Sequence, residues 1–134
     1  LRAPQPALLT PSSEESDGYV HDDPVFTPLL PPTGFTFDQN PPDPSTLEPK
    51  NPQGSTLLDR HILFKWEHDG WCMGVIKSQN KNSRTRVAGQ VANFFVLYPM
   101  DNSTGTHALT LTTYNHLLDA RAPTNNWVLL HRPP

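Results

Sequence analysis

The stretch Lys77-Ser78-Gln79-Asn80-Lys81-Asn82-Ser83-Arg84-Thr85-Arg86 holds four bases and no acid, and no acid occurs between Gly70 and Met100. Cations spaced this way, with Trp71 and Tyr98 close by, can contact phosphates beside a ring on which a base stacks. Lys77, Lys81, Arg84 and Arg86 are therefore candidate nucleic-acid contacts, although a plain solvated loop has the same composition. The remaining reactive side chains are six histidines (His21, His61, His68, His107, His116 and His131) and one cysteine, Cys72. None stands in His-x-x-x-His, His-Glu-x-x-His or Cys-x-x-Cys spacing, so a structural zinc site lacks its ligands, and no metal or cofactor is expected. Cys72 with a histidine could make a nucleophile and its base. Its flanks match no protease signature, and a lone cysteine in an apolar strand serves as a small hydrophobe. With no Gly-rich phosphate loop and no Gly-x-Ser-x-Gly elbow, the chain reads as a non-enzyme.

These residues belong to one half of an uneven chain. Of 134 residues, 35% are hydrophobic, 17% charged and 16 are proline, and twelve prolines lie at or before Pro52. No apolar run approaches the ~20 residues of a membrane span, and one cysteine excludes a disulfide scaffold. No cationic region followed by an apolar stretch opens the chain, so no secretory signal is expected. A start at Leu1 suggests a fragment or processed product. Residues 1–58 carry two bases against eight acids, and residues 59–134 eight bases against five acids. Acidic, proline-rich sequence buries too little apolar surface to offset the cost of ordering it, so residues 1–58 are expected to form a disordered tail. Within it, Ser12-Ser13-Glu14-Glu15-Ser16-Asp17 has the composition of an ordinary solvating acidic stretch and also suits acid-directed phosphorylation. Val25–Leu30 and Phe35–Phe37 form apolar islands that could be short linear motifs or could dock on the chain's own domain. The acidic tail could also mask the basic loop. Asn102-Ser103-Thr104 fits a glycosylation sequon but reads as a turn.

Residues 59–131 are expected to be β throughout. Ile62, Phe64 and Trp66 alternate with His61, Leu63 and Lys65, the period of a strand. Asp69-Gly70 then marks a hairpin, because glycine accepts the positive φ of a tight turn. Trp71–Lys77 forms the second strand, and Gly74 within it marks a bend or a close approach. Val91–Tyr98 is the third, ended by Pro99, His107–Thr112 the fourth and Trp127–Leu130 the fifth, with a helical turn at Tyr114–Leu118. Five short strands in so few residues suit a small bent barrel.

The run Phe64-Lys65-Trp66-Glu67-His68-Asp69-Gly70-Trp71-Cys72-Met73-Gly74-Val75-Ile76 resembles the first hairpin of Tudor-like domains, and Val91–Asn102 resembles their third strand and following turn. The resemblance covers about residues 60–130 and implies a five-stranded SH3-like barrel. It also implies a reader of a methylated or basic peptide, binding through an aromatic cage. Methylated ammonium and guanidinium groups prefer ring faces to water, each face adding ~0.5–2 kcal/mol. By that likeness Trp66, Trp71 and Tyr98 are the expected walls and Asp101 the counter-charge, while the same three rings could equally serve to cover the core of a small barrel. Cys72 stands where a cage aromatic belongs unless a one-residue shift brings in Trp71. A nuclear protein-binding module is the reading so implied. The alternatives are a nucleic-acid-binding barrel like those appended to transposases or integrases, and a packing domain of a larger scaffold.

Overall fold

The computed structural model describes residues 26–133; the Ser12–Asp17 cluster and the first part of the expected tail lie outside them. The structure is mainly β. Its strands are β1 (Thr36–Phe37), β2 (His61–Trp66), β3 (Gly70–Gln79), β4 (Arg86–Val87), β5 (Gln90–Val91), β6 (Phe94–Tyr98), β7 (Ser103–His107) and β8 (Trp127–His131). Six of them form an antiparallel sheet in the order β1-β8-β2-β3-β6-β7, and β4 and β5 form a separate hairpin. The sheet is open, with β1 and β7 as its edges, in place of the expected closed five-stranded barrel.

Residues 26–58 depart from the expected tail. Leu29, Leu47 and Leu57 are buried in the same core as the sheet, and β1 pairs with β8. A boundary at residue 58 therefore falls inside one packed body. Each buried leucine contributes roughly 1.5–3 kcal/mol, and prolines with φ already fixed lose less freedom on ordering. Local chemistry explains the two short helical turns here. Asp43 and Asn51 cap Pro44–Leu47 and a 3-10 turn at Pro52–Leu57, accepting from the N–H of Ser45 and of Gln53, with proline in the first helical turn. Asp38, an acid of this segment, pairs with Arg60 at 2.6 Å.

The β2–β3 hairpin matches its sequence signal: Gly70 has φ 74° and pairs with Trp66. β3 runs longer than expected and carries a bulge between Ile76 and Ser78. Gly74 does mark a close approach. A Cβ there would lie 2.5 Å from Val96 Cγ1 and 2.8 Å from Tyr98 Cε1. The third expected strand is split, because Ala92 and Asn93 separate β5 from β6. The fourth lies earlier than expected, at β7, and the helical turn is a 3-10 turn at Leu111–Thr113 instead of Tyr114–Leu118. Asn102, with φ 59°, makes the β6–β7 turn tight enough to start β7 at Ser103.

Side chains alternate across the sheet, so register assigns faces. Phe64 pairs with Cys72 and Trp127, and Phe94 with His107. Ile62, Phe64, Trp66, Val96, Tyr98, His107 and Trp127 thus share one face. Lys65 pairs with Trp71 and Leu63 with Val128, on the other. Trp71 donates its indole N–H to the Ala120 carbonyl at 3.0 Å, and the Ala120 N–H donates to Thr27. Residues 27 and 120 thereby close over that second face.

Candidate functional site

The basic loop becomes a built element. Ala88 and Gly89, at φ 51° and 84°, form the two-residue turn that joins β4 to β5, a turn that requires positive φ at both positions. Arg86 donates from Nη1 to the Gly89 carbonyl at 2.9 Å. The base of the hairpin is held by Asn80, which is buried: its Nδ2 donates to Asn82 O (2.9 Å) and Ala92 O (2.7 Å), and its Oδ1 accepts from the Asn82 N–H. Asn93, also buried, ties the next residues down. Its Nδ2 donates to Leu47 O and Leu109 O, and its Oδ1 accepts from Leu109 N, all at 2.9 Å. Lys81, Arg84 and Arg86 are exposed on this framework. Lys77 precedes it on β3 and is paired with Asp59 at 3.2 Å.

The expected cage residues do not share one surface. Trp66 and Tyr98 come together, ring centroids 5.5 Å apart and edge to face, and with Phe64 and His107 they make a four-ring cluster. Trp71 lies across the sheet from them, 2% exposed, with the chain's own Lys65 ammonium 5.8 Å from its ring centre. Tyr98 is 1% exposed. Asp101 is exposed in the β6–β7 turn, and its carboxylate accepts from the hydroxyl and the N–H of Ser103, which hold it below the usual carboxylate range.

Two consequences of burial follow in the ring cluster. Tyr98 shares a 2.8 Å hydrogen bond with His107 Nε2. Desolvation pushes the His107 pKa down to about 4, so its ring is neutral at pH 7, and it pushes the Tyr98 phenol well up. The Trp66 indole N–H faces the Tyr98 oxygen closely enough to favour its anion, yet forms no hydrogen bond of normal geometry.

A second cationic group has no single run of sequence to announce it. Arg60-His61 opens β2 and His131-Arg132 ends β8, and antiparallel pairing brings the two dipeptides to one cleft of about 290 Å³. The mirrored Arg-His and His-Arg pairs at strand ends are the only signal in the chain. Arg60 is committed to Asp38 and to the Leu130 carbonyl, and Arg132 lies over the Phe35 ring at 4.8 Å. Desolvation, then Arg132 and Arg60, lower the His61 pKa. Among the described residues no three His, Cys, Asp or Glu side chains gather as metal ligands, and no helix is long and apolar enough to cross a membrane.

Comparison with protein-family models, with curated proteins and with solved structures finds no match. The functional reading therefore rests on geometry and charge.

Proposed function

We propose that the chain is an interaction module that binds nucleic acid through the β4–β5 hairpin. The observation that carries this reading is the exposure of Arg86 on the hairpin, and of Lys81 and Arg84 on the segment leading into it from buried Asn80, in a stretch free of acids from Gly70 to Met100. Anchored cations lose less side-chain and backbone freedom on meeting a phosphate chain than cations on a mobile loop do. Phosphate contacts supply affinity without needing an enzyme's constellation of groups. A nuclear setting accords with such a partner.

A reader of methylated peptides draws less support. Its three walls would have to line one accessible surface, whereas Trp71 and Tyr98 are buried on opposite faces. The Tudor-like likeness itself would draw on β2, β3, β6, β7 and β8, five neighbouring strands of the open sheet.

The test is the salt dependence of binding to a short DNA duplex and to a single strand, for the wild type and for Lys81→Gln/Arg84→Gln/Arg86→Gln. Removing one cation from a phosphate should lower the log–log salt slope by about 0.9 on duplex and about 0.7 on a single strand. The triple variant should thus lose about 2–3 from the slope while keeping the far-ultraviolet circular dichroism of the wild type. An unchanged slope and affinity would sink the reading.

A further inference from the structure

The hairpin turn also forms one side of a cleft of about 140 Å³, whose other side is the turn at Leu111–Thr113. Phe64 and His107, both buried, line its inner end, and Ala88, Gln90, Thr112 and Asn125 are among the residues nearer the opening. Its lining contains no carboxylate, ammonium or guanidinium. Its lining residues are instead uncharged and include Phe64 and His107, Gln90 and Asn125, and three threonines. Thr110 Oγ1 lies 3.0 Å from the Oγ1 of both Thr112 and Thr113, which ties the hydroxyls together. Neutral donors and acceptors around ring surfaces suit a flat, uncharged, hydrogen-bonding heterocycle better than an ion or an aliphatic chain. A cavity of about 150 Å³ takes one six-membered aromatic ring, and the cleft's volume of about 140 Å³ matches one such ring.

Placement identifies what would carry that ring. Arg86 points to the ribbon face opposite Val87. Its guanidinium nonetheless reaches the turn and donates from Nη1 to the carbonyl of Gly89, which stands between the lining residues Ala88 and Gln90. A ring in the cleft would therefore sit beside the turn that holds the Arg86 guanidinium, one of the cations that the proposed function assigns to phosphate. We propose that the cleft receives a single pyrimidine base from a single-stranded nucleic acid whose backbone follows Lys81, Arg84 and Arg86. This rests on the nucleic-acid reading above and narrows it. Paired bases in a duplex are stacked and cannot enter, so the cleft selects unpaired strands. A single-ring pyrimidine matches the cleft's volume of about 140 Å³ more closely than a double-ring purine does.

The experiment compares the full chain's affinity for an eight-nucleotide oligothymidylate, the matching oligodeoxyadenylate, an abasic deoxyribose-phosphate chain of equal length, and a duplex. Oligothymidylate should bind about fivefold or more tighter than the abasic chain, the gain from one stacked base. Thr112→Phe, at an exposed position, should fill the cleft and abolish that gain while leaving the salt slope unchanged. Gln90→Trp, also exposed, is an independent block should the first variant fail to fold. Equal binding of thymidylate and the abasic chain, with the salt slope intact, would overturn the base cleft and leave the nucleic-acid reading standing. Preference for oligodeoxyadenylate or for duplex would also overturn it. Absence of salt-dependent binding to any of the four would overturn both.

Discussion

Replacing His107 should remove most of a pH dependence that its burial builds into folding. In the folded chain the imidazole is 4% exposed and its pKa falls from 6.5 to about 4 because burial penalises the cation. In the unfolded chain it returns to about 6.5. Between those two values the unfolded state binds the extra proton, so stability rises with pH by about 1.4 kcal/mol per unit. The contribution is complete above about pH 6.5, is lost as pH falls, and levels off below about pH 4. Working from the two pKa values, the wild type should lose about 2 kcal/mol between pH 7 and pH 5, and about 3 kcal/mol by pH 4. His107→Phe should be less stable at pH 7, having lost the Tyr98 partner, but should lack this slope. His61, also lowered by burial, leaves a smaller slope of the same sign in both proteins. Asp43 and Asp101 are held below 3.8, chiefly by hydrogen bonds from the Ser45 backbone and the Ser103 hydroxyl respectively, so they act at still lower pH. Urea unfolding followed by tryptophan fluorescence at pH 7 and pH 5 measures the difference. Equal losses in the two proteins would refute the claim that the fold holds His107 neutral.

Two further outcomes follow from packing and hydrogen bonding. Asn93→Ala should destabilise by about 3 kcal/mol or more in thermal unfolding, since it strands the Leu47 and Leu109 carbonyls and the Leu109 N–H in the interior. It should also quicken amide exchange in 80–92. Gly74→Ala should cost about 1–3 kcal/mol because the new methyl meets Val96 and Tyr98 at less than van der Waals separation, and Val96→Ala in the same chain should recover part of that loss.

The β2–β3 hairpin is legible in the sequence because alternation and Asp69-Gly70 are local signals that tertiary packing leaves undisturbed. The strand split at Ala92 and Asn93 is not. Asn93 looks like an outward polar residue in an apolar run, and only its distant partners Leu47 and Leu109 reveal it as an interior anchor. Residues 26–58 defy their composition for a related reason. Composition measures how little they can bury by themselves, while Leu29, Leu47 and Leu57 bury against strands far along the chain.

Residue types and their spacing are enough to place β structure in the C-terminal half, the turn at Gly70, a bend or close approach at Gly74 and the concentration of cations between 77 and 86. These depend on residue type and near neighbours. Tertiary structure alone decided which aromatics share a face, because one step of register carries a side chain through the sheet and sends Trp71 away from Trp66 and Tyr98. It alone turned a polar loop into a hairpin on a buried asparagine, and set that hairpin against Phe64 and His107 to make a cleft. Such arrangements arise from packing between residues distant in sequence, which spacing along one chain does not encode.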